Sequence, residues 1–418
     1  MSKIKVQRSM ILEGRPGESL FVSDDTYARA QGTEMVGLVA TSEKTSEDGQ
    51  VGSATEHFES GRTVSSAMRR SGNNGRTWSI DEPFWRLTPE LAASPYGYVE
   101  NAVSGLVLDE RRDVLIRFVN SALNFGPCYF GGGSPTFRNN RMFYDVSHDG
   151  GRTWGRMRPV VCEGYRDPAR KGKYFWMDWV PGVTWGSGIA RIEQPSSLWL
   201  GDGTLVLGFY RVGLDCRDEW AALRARWKDE NQDLLSFEPP VFNGIGPEIS
   251  TKGISEPNFV RLRDGRLLVV LRCAGNPATG TYARRYTALS MDDGRTWTSP
   301  AELKYDDGTR MNVPESISRL VRSSRTGKFY WVGNILDEPV YECWPRNKIQ
   351  IAELDETGPA IVRESVTIVD ETSLDSGISF SNFRLYEERQ TGKLIAVMPW
   401  WVKEGDCSNG YRYDIEVG

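Results

Sequence analysis

The 418-residue chain holds only two histidines and six cysteines. The cysteines, Cys128, Cys162, Cys216, Cys273, Cys343 and Cys407, are scattered and nowhere form a CxxC pair. That spacing points to free thiols in a reducing compartment rather than a disulfide framework. HExxH and EF-hand patterns are also missing, so neither a metal nor another cofactor is expected. No glycine-rich phosphate loop is present, and FGGGSP at 130–135 reads as a flexible loop. No apolar run approaches the ~18 residues of a membrane span. The first residues, MSKIKVQRSMILEGRPG, contain no apolar stretch of the signal-peptide kind, so a cytoplasmic location is expected. A net charge of -5 is mild and argues against nucleic acid or an anionic membrane as the main partner. Linkers and low-complexity tracts are lacking, which gives one domain over 1–418.

Turn formers and aromatic residues are plentiful. Forty-three Gly, 21 Pro and 14 Trp, with 39% hydrophobic residues, suit an all-β chain with many turns and a large core. The octamer SHDGGRTW, at 147–154, recurs as SGNNGRTW at 71–78 and SMDDGRTW at 290–297. Repetition of this kind marks a repeat architecture. Asx side chains bond the backbone two residues on, and Gly accepts positive φ. Each octamer therefore reads as a β-turn plug with its Trp tucked beneath, structural rather than catalytic. A looser repeat joins two strands by a tight turn. It starts near Glu18, Glu100, Gln194, Glu256, Glu315 and Phe380. Six such units, most with room for four strands, predict a six-bladed β-propeller of four-stranded antiparallel blades.

On these octamers the chain resembles the sialidase (neuraminidase) superfamily, whose six-bladed propellers carry the same turns, called Asp-boxes or BNR repeats. The resemblance covers most of the chain. It implies that Glu256, at the head of EPNFVRLRDGRLLVVLR, is the base that activates a nucleophilic Tyr. It makes Arg272, at the end of that stretch, one of three arginines that grip a substrate carboxylate. Bidentate, charge-assisted bonds give such a grip its orientation. Arg346, in WPRNKIQIAEL, matches the next arginine. The first falls on Arg15 in GRPGESLF, where the family's F/Y-R-I-P motif is missing.

A second departure concerns the nucleophile. SGISFSNF sets Phe380 where the family has its Tyr, with Tyr386, Tyr411 and Tyr413 as substitutes. The resemblance places the acid in the loop over 41–63, which holds Asp48, Glu56, His57 and Glu59. His57 is the one histidine outside the octamers, and imidazole titrates near neutrality. Aromatic residues gather in an insert near 163–191, with Tyr165, Tyr174, Phe175, Trp176, Trp179 and Trp185. Tyr341, Trp344, Trp400 and Trp401 add to them. Rings beside arginines suit a sugar partner.

These features predict an exo-glycosidase for an acidic sugar. With no Tyr nucleophile, water could attack directly. A lyase on uronate glycans is the alternative, with His57 or a Tyr taking the proton and Arg272 and Arg346 neutralising the carboxylate. A non-catalytic glycan-binding propeller is the third reading. Oligomeric state is not legible.

Overall fold

A computed structural model describes residues 4–15, 18–44, 62–88, 98–124, 139–162, 191–212, 217–402 and 409–418. The chain reverses at each polar turn, and the strands between turns form six antiparallel sheets. These are the blades of a six-bladed β-propeller. The innermost strands of the first five blades are Glu18–Tyr27, Tyr98–Asp109, Arg191–Trp199, Ile254–Arg261 and Arg319–Arg322. In blade six the innermost position is shared by Ile378–Phe380 and Arg384–Glu387, both paired with Leu394–Val402. The outermost strand of that blade is Lys5–Leu12, which pairs with Gly410–Glu416. The two ends of the chain thus close the ring together. Among the described residues there is no α-helix.

Each blade must bury both of its faces, and the core follows from this. Six apolar clusters fill the six interfaces between neighbouring blades. Middle strands are covered on both sides and read as apolar runs rather than alternations, such as LLVVL in Leu267–Cys273 and FYWVG in Phe329–Gly333. Phe380 belongs to this core. It is fully buried in the cluster between blades five and six and meets Trp400 edge-on at 5.8 Å.

Antiparallel order gives the propeller two unlike faces. Turns after the first and third strands of a blade share one face. The starts of first strands and the ends of second strands share the other. All three octamers sit between third and fourth strands, hence on the first face. Ser147 Oγ accepts the Gly151 N–H at 2.7 Å, and Gly151 takes φ 80°, which a side chain would strain. The Asp149 carboxylate accepts the hydroxyl and N–H of Thr153, which hold its pKa well below the usual range. Trp297 packs on Phe259 with centroids 5.2 Å apart, and Arg117 lies 4.2 Å over Trp154. The octamers are turn clamps.

Candidate functional site

The opposite face carries a cluster of charged residues. Blade four contributes first. Its innermost strand is irregular between Ser255 and Asn258, and Glu256 there adopts φ 50°. A left-handed non-glycine residue costs about 1–2 kcal/mol and is held by its surroundings. The distortion turns the Glu256 side chain toward Arg272, at the end of the adjacent strand. Arg272 Nη1 donates to Glu256 Oε1 at 2.5 Å. Glu256 Oε2 is buried and has no hydrogen-bond partner.

Arg272 has a second anion. Its Nη2 donates to Glu315 Oε1 at 2.8 Å, and Lys252 Nζ reaches Glu315 Oε2 at 2.9 Å. The Cys343 thiol donates to the same oxygen at 3.4 Å. Burial would raise the pKa of Glu315, but Arg272 and Lys252 reverse this and hold it down to about 2. Burial likewise opposes the charge on Arg272, and Glu256 and Glu315 restore it and push its pKa up.

Arg346 joins from blade five. It donates to the Cys343 carbonyl at 2.8 Å, to Ser381 Oγ at 2.8 Å and to the Glu315 carbonyl at 2.7 Å. Burial, then Arg272, lowers its pKa. Behind it lies Arg285, fully enclosed and lowered by burial to about 9. Arg285 donates to Ser316 Oγ at 2.9 Å and to the Pro314 carbonyl at 3.1 Å. Blade three supplies Asp218, whose carboxyl is hydrogen-bonded to Ser255 and pushed up to about 7, chiefly by burial.

Glu256, Arg272 and Arg346, named from sequence, thus fall in one network. Lys252, Glu315, Arg285 and Asp218 join it, and sequence reasoning missed all four as site residues. The available signal was Glu315, which opens its repeat unit as Glu256 opens its own. Trp344 is 48% exposed, with the Arg346 guanidinium 5.8 Å from its ring. Arg15 lies in the link from the closing strand to blade one. It is exposed, and its backbone N–H donates to Glu18 Oε2 at 3.0 Å. Asp48, Glu56, His57, Glu59, Trp176 and Trp179 lie outside the described residues, as does nearly all of the aromatic insert.

The three tyrosines named as substitutes engage other partners, whereas Tyr210 is the tyrosine whose charge bears on Arg272. Phe380 meets Arg346 only through its backbone, its N–H donating to the Arg346 carbonyl at 2.8 Å. Tyr386 reaches the octamer face instead, where its hydroxyl donates to the Asn74 carbonyl. Tyr413 is fully buried and donates to Asp370 at 2.7 Å. Tyr411 packs on Trp400 at 4.6 Å.

A cavity of about 450 Å³ opens at the octamer face, between Asp25, Asp109, Trp199 and Tyr386. Its carboxylates are already engaged, Asp25 by Arg69 and Asp109 by Arg112 and the Trp227 indole. The charged network lies on the other face. There four cations, Lys252, Arg272, Arg285 and Arg346, meet two carboxylates, Glu256 and Glu315, once Asp218 is protonated. The site has an excess of positive charge in a chain whose net charge is -5. Among the described residues no cluster of His, Cys, Asp and Glu is arranged to hold a metal.

The six-bladed β-propeller fold is shared with solved structures of low sequence identity. The chain is similar to a variant of the NanB sialidase of Streptococcus pneumoniae, at 12% identity and TM-score 0.57, over 97% of this chain and 68% of that one. It is similar also to the intramolecular trans-sialidase of Ruminococcus gnavus, solved with oseltamivir carboxylate, at 12% identity and TM-score 0.54, over 96% and 94% of the two chains. An α-L-arabinanase of Penicillium chrysogenum, solved with arabinobiose, shares the architecture at 13% identity and TM-score 0.50, over 97% and 98%. No protein-family model matches the sequence, and no curated protein does.

Proposed function

We propose that the chain is a glycosidase that removes an acidic sugar from a glycan at the Glu256 face. One observation carries the reading. Glu256 is fixed through Oε1 by Arg272, while Oε2 is buried and unpartnered. An acceptor held in place without a partner marks a position for a water or substrate group, whose proton Glu256 could take. The surplus of cations around it suits a substrate carboxylate, since guanidinium and ammonium groups retain N–H donors beyond those the protein uses. Solved propellers of this fold include sialidases and an arabinanase, which supports sugar chemistry.

The test is a substrate panel of sialosides, Kdo-type glycosides and uronate-ended oligosaccharides. Hydrolysis of one acidic glycoside is expected. Glu256→Gln, with an unchanged melting curve, should lower kcat by about 10²–10⁴-fold. An ultraviolet-absorbing unsaturated product would instead establish the lyase. Binding without turnover by any member would establish a glycan-binding module.

A further inference from the structure

We propose that Asp218 is the proton donor of this site, protonating the glycosidic oxygen while Glu256 on the neighbouring blade activates water. The assignment rests on the glycosidase reading above.

The geometry begins in the backbone. Asp218 opens the third strand of blade three, Asp218–Trp227, and bridges to Gly253, just ahead of blade four. Its N–H donates to the Lys252 carbonyl at 2.6 Å. Gly253 has φ 83°, and a Cβ there would lie 2.6 Å from the Asp218 nitrogen and closer still to its carbonyl oxygen. Only glycine allows two blades to approach this closely. The approach delivers the Asp218 carboxyl to Ser255, the residue before Glu256.

The surroundings then set Asp218 apart from Glu315. Facing Asp218 are Ser255 and Glu256 from the first strand of blade four, Arg272 from its second, and Glu315 from the link to blade five. Burial raises the Asp218 pKa most. Ser255 and Arg272 oppose it, while Glu315 and Glu256 add to it, and the result is about 7. Arg272 is already shared by Glu256 and Glu315, so it serves Asp218 weakly. Glu315, held down to about 2, stays ionised and cannot donate. Asp218, unlike Glu315, can carry a proton at neutral pH. A carboxyl held neutral in this manner beside one held ionised is the one fitted to act as an acid.

The step balances. The bond from the anomeric carbon to the leaving oxygen breaks, and its electron pair stays on that oxygen. The Asp218 proton moves there, and the leaving sugar departs as an alcohol. Water bonds to the anomeric carbon and yields a proton to Glu256. Solvent carries that proton back to Asp218, which restores both groups.

Leaving groups provide the test. Methyl and 4-nitrophenyl glycosides of whichever acidic sugar is turned over are compared. Asp218→Asn should slow the methyl glycoside by about 10²–10⁴-fold yet spare the 4-nitrophenyl glycoside, whose leaving group needs no acid. Retained 4-nitrophenyl turnover also shows that the variant is folded. The fall of kcat/KM above about pH 7 should vanish with it. Ser255→Ala removes a bond that favours ionised Asp218, so that fall should move to higher pH. Equal losses on both substrates with an intact melt, an unaffected methyl glycoside, or an unmoved pH profile in Ser255→Ala would overturn the assignment. If Glu256→Gln abolishes turnover but Glu56→Gln, Asp48→Asn or His57→Ala replaces Asp218→Asn in this pattern, the acid lies in the 41–63 loop and the glycosidase reading survives. If no acidic glycoside is turned over, both fall together.

Discussion

Glu315→Gln should be costly, and the cost should depend on pH in a defined direction. Glu315 is 3% exposed and neutralises both Arg272 and Lys252. Gln keeps the shape but removes the charge, leaving Lys252 without its anion and Arg272 with Glu256 alone. The carboxyl moves from an ordinary value of 4.5 to about 2 in the folded chain. A shift of that size, at ~1.4 kcal/mol per pH unit, is worth about 3 kcal/mol. Breaking one side of a buried ion pair costs a similar ~3–5 kcal/mol. At ~2.1 cal/mol/K of unfolding entropy per residue, the chain should melt roughly 3 °C lower. The sign follows from the depressed pKa. The stabilisation is complete above the unfolded value near 4.5 and is lost as pH falls toward about 2. Urea unfolding of native and variant chains, followed by tryptophan fluorescence from neutral pH down to about pH 3, reads the gap directly. It should be widest at neutrality and narrow with acid. A gap under ~1 kcal/mol at neutral pH, or one that ignores pH, would refute the electrostatic account of Glu315.

The blades were legible because their punctuation is local. A Ser, an Asx and a Gly within five residues close a turn whatever the rest of the chain does, and Ser147, Asp149 and Gly151 do so here. Units expected to start near Glu18, Glu100, Gln194, Glu256 and Glu315 fall close to the innermost strands observed. Closure of the ring was not legible. Lys5–Leu12 finds its partner at Gly410–Glu416, across nearly the whole sequence, and no local pattern announces such a pairing.

The site divides in the same way. Glu256 and Arg272 lie on paired strands of one hairpin, so a repeat template sufficed to bring them together. Asp218 enters from another blade because Gly253 lets two backbones meet, and a lone glycine ahead of a strand carries no such message in sequence. Arg272 shows the limit of reading residue types alone. As an isolated arginine it suits a substrate carboxylate, yet in the fold it already holds two protein carboxylates. Under the proposed function, its grip on a ligand would depend on the donors left over and on Lys252 and Arg346 beside it.

Two further substitutions probe the scaffold under this site. Gly253→Ala should destabilise by about 2–4 kcal/mol, because its Cβ meets the Asp218 backbone and φ 83° strains any side chain. Chemical unfolding measures it, and a cost below ~1 kcal/mol would mean that the blades can separate freely there. Phe380→Tyr is the more pointed case, because it restores the residue that the sialidase resemblance expects. Were the ring at the mouth, the new hydroxyl would create a nucleophile near Glu256. The ring instead lies wholly inside the core between blades five and six, against Trp400. A hydroxyl added there is buried without a partner and should cost about 1–3 kcal/mol in unfolding experiments. Turnover should not rise, and mass spectrometry after incubation with a fluorinated sialoside should find no sugar on the new tyrosine. A covalent adduct at position 380 would show that this strand turns its side chain to the substrate, and the water-based mechanism would have to be abandoned.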